Sequence, residues 1–240
     1  MKVIKVKNYE ELSIAGSEII AKLVKENPKA VLGLATGSSP IGLYQNLIKA
    51  YNAGEISFKD VKTFNLDEYC DLPRDHRESY YSFMNRNLFD HIDINKDNVN
   101  IPLTVGNDLE KLADDYNVLL SKHVIDLQLL GIGGNGHIGF NEPGTLFDSV
   151  TSVTKLTDKT RQDNKRFFNS IDEVPKFAIT MGIKNIMQAK EILLIASGAN
   201  KADAIYKLIN GEVTEDFPAS VLKNHPNVTI IIDEEAAKLL

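Results

Sequence analysis

The stretch VLGLATGSSPIGLYQNLIKA, residues 31–50, passes from a strand through a glycine turn into a helix. Its first part, VLGLAT (31–36), is a nearly unbroken apolar run, which is typical of a strand covered on both faces. The turn contains Gly37, and Pro40 suits the first turn of the helix that follows. A buried strand that leads directly into a helix is the repeating unit of a parallel α/β sheet.

The same unit recurs along the chain and indicates the fold class. Apolar runs typical of buried strands occupy residues 31–36, 61–66, 125–132, 177–183, 191–197 and 228–233. Helical patterns occupy residues 8–25, 41–54, 78–92, 108–124, 200–211 and 234–240. Two of these helices follow a capping-box signal, Asn8 with Glu11 and Asn107 with Glu110. Because no repeat or linker divides the chain, we predict one α/β domain over residues 1–240, with a doubly wound, mostly parallel sheet and helices on both faces.

A polar stretch over residues 155–173 interrupts this rhythm. It is rich in charge and has little periodicity, which predicts a loop with a short helix. Two interpretations remain open for it, a mobile lid over a site and a fixed surface helix.

Charge and composition exclude several function classes. The chain has 27 basic and 33 acidic residues, a net charge of -6 and no run of lysine or arginine, so we expect no nucleic-acid partner. No window approaches the roughly 18 apolar residues of a membrane span, and the N-terminus has no apolar signal-peptide core. The single cysteine, Cys70, excludes an internal disulfide and a CxxC metal site. We therefore expect a cytoplasmic protein without membrane attachment.

Two glycine turns indicate an anion site at the carboxyl ends of the strands, where ligands of open α/β sheets bind. In TGSSP, Gly37 allows close backbone approach, and Ser38 and Ser39 offer hydroxyl groups before a helix start. The turn is neither a Walker A motif nor a GxGxxG fingerprint, so it favours a single phosphate. In SGANKADAI, Lys201 stands at a helix start, where a cation is unfavourable unless an anion binds nearby. A purely structural turn and a solvated lysine remain the alternatives.

Candidate acid and base groups lie at the same edge of the predicted sheet. Asp67 directly follows the strand at 61–66, although a turn or cap aspartate would have the same position. His137 lies in the glycine-rich stretch GIGGNGHIGFNEPG with Glu142 five residues later, off helical spacing, so the two can meet across a bent loop. Histidine exchanges a proton near neutrality, and a carboxylate can orient its ring. Cys70 has no local histidine partner and is a weak candidate nucleophile. The residues predict proton transfer on a small phosphorylated metabolite without a metal or organic cofactor.

Five segments resemble the glucosamine-6-phosphate deaminase family in identity and order: LGLATGSSPIGLY, FNLDEYCDLPRDHRESYYSFM, GIGGNGHIGFNEPG, TRQDNKRFF and SGANKADAI. The resemblance implies a Rossmann-like fold and conversion of glucosamine 6-phosphate and water to fructose 6-phosphate and ammonium. It implies Asp67 as the base that moves a proton between C2 and C1, His137 as the group that opens the sugar ring, and Glu142 as its orienting partner. The phosphate-binding residues that it implies are Thr36, Gly37, Ser38, Ser39, Arg166 and Lys201.

One departure concerns the chemistry. Many family members have Asp in the GxxDGH segment, where this chain has Asn135, so a relay from His137 through a carboxylate depends on Glu142 alone. Two other functions compete. A 6-phosphogluconolactonase shares the sheet and phosphate turn, but its typical GHTASLFP-type segment differs from GHIGFNEP. A phosphosugar sensor needs an attached DNA-binding helix-turn-helix, and this chain begins almost directly with the α/β domain.

The resemblance also predicts what the chain lacks. Longer bacterial members are hexamers activated by N-acetylglucosamine 6-phosphate, bound through a basic pair after the FNEP segment and a tyrosine in a C-terminal extension. Here Ser152 and Thr154 replace the basic pair, and the chain ends at Leu240 soon after its last strand. We therefore expect a monomer with hyperbolic kinetics and no activation by this effector, although Lys155 could partly replace the missing charge.

Overall fold

Two sheets organise the computed structural model, which describes residues 1–165 and 168–240 apart from the side chain of Asp163. The strands are β1 (Lys2–Val6), β2 (Val31–Leu34), β3 (Lys62–Asn65), β4 (Asp67–Tyr69), β5 (Val99–Asn100), β6 (Leu127–Leu130), β7 (Ser152–Lys155), β8 (Phe177–Thr180), β9 (Glu191–Ala196) and β10 (Val228–Asp233). The helices of the described residues are α1 (Tyr9–Glu26), α2 (Ile41–Asn52), α3 (Tyr80–Asn87), α4 (Leu109–Ser121), α5 (Asp158–Asn164), α6 (Ile183–Met187) and α7 (Ala202–Asn210).

The larger sheet has seven parallel strands in the order β1-β10-β9-β6-β2-β3-β5. Every residue of β6 and β10 is buried, so helices and loops cover the sheet on both faces, as the unbroken apolar runs predict. From β2 the chain proceeds to β3 on one side, whereas β6 leads to β9 and β10 on the other. The order reverses between β2 and β6, and such a reversal opens a crevice at the carboxyl ends of the strands.

The smaller sheet is antiparallel and has the order β4-β8-β7. The apolar run at 177–183 contains a strand, as predicted, but this strand ends at Thr180 and pairs with β4 and β7 instead of joining the parallel sheet. Only Leu66 separates β3 in the large sheet from β4 in the small one, so Asp67 is the first residue beyond the crossing.

Helix boundaries follow local capping with two corrections. The signal at Asn8 is confirmed, because its side chain accepts from the Glu11 N–H at 3.0 Å before α1. The cap of α4 is Asp108 rather than Asn107, since the Asp108 carboxylate accepts from the Lys111 N–H at 2.9 Å. Residues 234–240 form hydrogen-bonded turns, not the predicted helix, with the Asp233 carboxylate bonded to the Ala236 N–H.

The polar stretch at 155–173 contains a short helix, as predicted. It begins at the end of β7, continues through α5 and includes a 3-10 turn over Ile171–Glu173. Thr157 caps α5 by accepting from the Thr160 N–H at 3.1 Å. The side chain of Arg161 donates to the Ile171 carbonyl at 2.8 Å, so the helix and the later turn form one folded unit.

Candidate active site

A cavity of about 400 Å³ opens where the strand order reverses. The loops after β2, β6 and β9 and the first residue of β4 converge on it. The predicted site residues that line it are Thr36, Gly37, Ser38, Ser39, Asp67, His137 and Lys201. Asn135 and Glu142 contact each other beside His137 rather than lining the cavity. Arg166 lies outside the described residues.

The first glycine turn is held in shape from outside. Gly37 has a φ of +89°, a left-handed conformation that favours glycine. The Tyr9 hydroxyl donates to the carbonyls of Ser38 and Ser39 at 3.1 Å and accepts from the Gly42 N–H at 2.9 Å. These bonds fix the turn at the start of α2, where the helix dipole favours a negative charge.

The second glycine turn is anchored by a carboxylate. Asp233, at the end of β10, accepts from the Gly198 N–H at 3.0 Å and from the Ser197 hydroxyl. Gly198 has a φ of +93°, so the turn needs glycine there. A 3-10 turn then leads to Lys201 directly before α7, as predicted. The anchoring brings a lysine to the cavity from a different strand than the first turn.

Asp67 is a buried carboxyl group with only 6% of its surface exposed. Burial, with the neighbouring charge of Glu68, raises the pKa of Asp67 to about 8. Glu68 points away into the protein, where its carboxylate accepts from the N–H groups of Tyr69, Tyr80 and Tyr81 at 2.8–2.9 Å. The two adjacent acids therefore have different environments, since Glu68 is bound to backbone and Asp67 faces the cavity.

The glycines around His137 make room for its ring. A side chain at Gly133 would start only 2.3 Å from the ring, and the Gly133 N–H donates to the His137 carbonyl at 2.9 Å. Gly139 has a φ of +57°, and a Cβ there would lie 3.6 Å from the Asp67 carboxylate. The loop therefore folds over itself and brings His137 into the cavity that Asp67 also lines.

Glu142 is held by donors from two parts of the chain. Its Oε2 atom accepts from Asn135 Nδ2 at 2.7 Å, and its Oε1 atom accepts from Thr160 Oγ1 at 2.5 Å. His137 Nδ1 lies 3.6 Å from Oε2, beyond hydrogen-bond length, so we assign its effect to charge attraction. Burial alone would raise the pKa of Glu142, but His137, Thr160 and Asn135 outweigh burial and lower the pKa to about 2.

Several residues at the cavity were not predicted. Tyr80 and Phe140 stack with ring planes 11° apart and centroids 6.1 Å apart, and Asn164 donates to the Tyr69 hydroxyl at 2.8 Å. Thr160, Asn164 and Asn200 also line the cavity. The Thr157–Thr160 spacing is a capping signal that predicts where α5 begins. It does not predict that Thr160 contacts Glu142.

A cysteine nucleophile and a metal centre are the two alternative chemistries for this site. Cys70 is buried, and burial raises the pKa of its thiol to about 12, so it remains protonated near neutrality. In residues 1–165 and 168–240, no three His, Cys, Asp or Glu side chains gather as they would around a metal ion. Within the same residues, no helix combines the length and apolarity that a membrane crossing needs.

Comparison with known proteins places this geometry in a family. The model of the glucosamine-6-phosphate isomerases/6-phosphogluconolactonase family matches residues 9–231. The chain belongs to this family. Among its curated members, the glucosamine-6-phosphate deaminase of Thermoanaerobacter pseudethanolicus (strain ATCC 33223 / 39E) is 55% identical over 100% of this chain and 95% of its own length. That of Clostridium novyi (strain NT) is 51% identical over 100% of both chains.

Solved structures of the family agree with the fold. A monomeric glucosamine-6-phosphate deaminase matches with a TM-score of 0.98 and 50% identity over 100% of both chains. A 6-phosphogluconolactonase from Trypanosoma brucei matches with a TM-score of 0.82 but only 22% identity, over 100% of this chain and 98% of its own. The second likeness shows a shared fold alone.

Proposed function

We propose that this chain is a glucosamine-6-phosphate deaminase, which converts glucosamine 6-phosphate and water to fructose 6-phosphate and ammonium. One observation carries the proposal. A single cavity collects Asp67, His137 and two anchored glycine turns, the parts that proton transfer on a phosphosugar needs. The chain is about 50% identical to deaminases over its full length, whereas 6-phosphogluconolactonase structures match it at 22% and 23% identity. This difference supports the deaminase over the lactonase activity.

The two glycine turns bind the phosphate in this proposal. Thr36, Gly37, Ser38 and Ser39 provide hydroxyl and backbone groups beside the start of α2, and Lys201 adds a positive charge. Arg166 is the further cation that the family resemblance implies for this role, with a planar guanidinium suited to two phosphate oxygens.

His137 and Glu142 open the sugar ring. His137 takes the proton of the C1 hydroxyl and returns a proton to the ring oxygen as the C1–O bond breaks, which yields the open-chain aldehyde. The Glu142 carboxylate attracts the imidazolium that forms in between. A low pKa keeps Glu142 ionised at neutral pH, and Asn135 donates to it where a second carboxylate would repel it.

Asp67 moves the proton between carbons. It removes the C2 proton to form an enolamine and delivers a proton to C1, after which water hydrolyses the C2 imine and releases ammonium. Burial makes this carboxylate a stronger base than one in water, because its ionised form has lost most of its hydration. A protonated substrate amine near Asp67 favours the ionised form.

The remaining parts of the proposal concern the whole protein. The chain acts as a monomer on a small phosphosugar, in agreement with the monomeric deaminase that it matches over its full length. It has no nucleic-acid or membrane partner and works in the cytoplasm. Residues 155–173 act as a lid that covers the site.

The reaction products test this function. Purified protein is incubated with glucosamine 6-phosphate and a chelator, and ammonium and fructose 6-phosphate are both quantified. We expect equal amounts of the two products, without added metal or nucleotide. Absence of ammonium would contradict the deaminase assignment, and hydrolysis of 6-phosphogluconolactone instead would favour the lactonase. Loss of activity with the chelator would contradict metal independence.

Two variants separate the catalytic roles. Asp67→Asn should abolish both turnover and exchange of solvent hydrogen into the carbon positions of the sugar. His137→Gln should reduce turnover most with a ring-closed substrate and less with an open-chain one. Equal loss on both substrates would argue against ring opening by His137.

A further inference from the structure

Helix α5 contacts Glu142 and Tyr69 through one face. Thr160 and Asn164 are four positions apart and therefore lie on the same side of the helix. Thr160 Oγ1 donates to Glu142 Oε1 at 2.5 Å, and Asn164 Nδ2 donates to the Tyr69 hydroxyl at 2.8 Å. Thr160 is 8% exposed, so its hydroxyl is shielded from water. Two polar bonds thus dock α5 against the site.

The bond from Thr160 to Glu142 comes from a different segment of the chain than the other contacts of Glu142. Asn135 and His137 belong to the same glycine-rich loop as Glu142 and move with it. Thr160 follows Glu142 by 18 positions and belongs to a separate element. Within the described part of the chain, the Thr160 bond is the one that joins the Glu142 carboxylate to α5. Oε1 accepts that bond, while Oε2 faces Asn135 and His137.

A second threonine directs the proton of this bond. Thr157 Oγ1 donates to Thr160 Oγ1 at 3.0 Å and accepts from the Thr160 N–H at 3.1 Å. Because a hydroxyl has one proton, a Thr160 oxygen that accepts from Thr157 points its own proton toward Glu142. The residue that begins α5 therefore also orients the group that contacts the carboxylate.

We infer that Thr160 is a positioning residue for the deaminase reaction: its hydroxyl fixes the Glu142 carboxylate, so that the His137–Glu142 pair is aligned when α5 is docked. The inference rests on the proposed function. It gives α5 a role besides covering the site, because ring opening then depends on the position of the helix. A charge-assisted bond of this kind suits such a coupling, since a carboxylate that loses a buried donor loses both orientation and stabilisation.

Three variants test the inference. Thr160→Val removes the hydroxyl and keeps the shape, and Thr160→Ser keeps the hydroxyl. Thr145→Val is the matched control, because the Thr145 hydroxyl donates at 2.7 Å to the backbone carbonyl of Glu142 rather than to its carboxylate. We expect Thr160→Val to lower kcat for glucosamine 6-phosphate roughly tenfold to a hundredfold. The other two variants should stay within about threefold of the parent.

The pH dependence distinguishes positioning from general loosening. The described side chains that contact the Glu142 carboxylate are His137, Asn135 and Thr160, and His137 is the ionisable one among them. Loss of the Thr160 donor raises the pKa of Glu142, so a carboxyl NMR titration should show Glu142 ionising at higher pH in Thr160→Val and not in Thr145→Val. The inference is wrong if Thr160→Val behaves like Thr160→Ser. A loss of kcat without a raised pKa of Glu142, or an equal loss of kcat in Thr145→Val, would also overturn it.

Amide hydrogen exchange tests the docking without turnover. Exchange over residues 158–164 should be faster in Thr160→Val than in the parent, with α1 unchanged in both. If the parent protein releases no ammonium, the proposed function fails, and this measurement still decides whether Thr160 docks α5. Unchanged exchange over 158–164 would overturn the docking role.

Discussion

The Asp67 carboxyl illustrates at the residue scale how a candidate catalytic group opposes folding. Its pKa is raised from 3.8 to about 8 by burial and by Glu68, so the folded protein holds the proton more tightly than the unfolded chain does. Below pH 3.8 both states are protonated and ionisation contributes nothing. Between pH 3.8 and about 8 the unfolded chain ionises first, and the free energy of unfolding falls as the pH rises.

Asp67→Asn should therefore stabilise the protein while abolishing turnover. Asparagine cannot ionise, so we expect its gain in the free energy of unfolding to be larger at pH 8.5 than at pH 5, by about 2–4 kcal/mol. Urea unfolding at the two pH values measures the difference. Asp216→Asn, at an exposed position, is the control for the loss of one aspartate side chain. A constant effect of Asp67→Asn across pH would contradict the raised pKa.

Asn135 has the opposite effect on a neighbouring carboxyl. Its amide donates to Glu142 at 2.7 Å and contributes to the low pKa of that group. Asn135→Asp replaces the donor by a second carboxylate, so the pKa of Glu142 should rise, which a carboxyl NMR titration measures. Asn135→Ala removes the donor without adding charge and should cause a smaller rise. An equal rise in the two variants would show that the added charge has no effect.

At the element scale, the sequence does not decide whether residues 155–173 form a mobile lid or a fixed surface helix. α5 is docked by Thr160 and Asn164, and Arg161 joins it to the turn at Ile171–Glu173. If the proposed lid closes on the ligand, hydrogen exchange over 158–164 should slow further when fructose 6-phosphate binds in ammonium-free buffer. Arg166→Ala should remove this slowing. Equal exchange with and without the ligand would identify the segment as a fixed surface element.

The strands and helices differ in how far the sequence predicts them. Five of the six predicted strands belong to the parallel sheet, because burial on both faces leaves a continuous apolar signal. The remaining predicted strand, at 177–180, is also an apolar run but belongs to the antiparallel sheet. An apolar run indicates that a strand is buried and does not indicate which strand it pairs with. β4 and β5 have three and two residues, too few for any periodicity to emerge.

The sequence likewise predicts some residues of the candidate site and not others. Asp67, His137 and the two glycine turns could be predicted because chemistry and backbone conformation restrict the residue types there. Thr160 could not, because a threonine three residues after the capping residue Thr157 is ordinary in the first turn of a helix. Thr160 reaches Glu142 because α5 packs against the glycine-rich loop, and that packing depends on contacts between segments distant in sequence.

At the scale of the whole molecule, the surface beside the small sheet bears on regulation. Ser152 and Thr154 lie on β7, at the positions where the family resemblance implies a basic pair in effector-activated members. Neutral hydroxyls supply none of the charge-assisted bonds that hold a phosphate, each worth roughly 1.5–3 kcal/mol. We expect hyperbolic kinetics that N-acetylglucosamine 6-phosphate does not change, and a molar mass by light scattering of one chain, 26.7 kDa. Sigmoidal rates that this sugar phosphate makes hyperbolic would contradict the expectation.

The strand order also has a consequence for synthesis on the ribosome. β1 lies at the edge of the large sheet and pairs with β10, from Lys2 opposite Thr229 to Val6 opposite Asp233. Val6 and Val228 are 222 positions apart, so at roughly 5–20 residues per second the first strand waits about 10–45 s for its partner to be made. An unpaired apolar strand is a hazard for aggregation during that time. The exposed lysines at positions 2 and 5 place charge on β1, and so protect the nascent chain until the strand can pair.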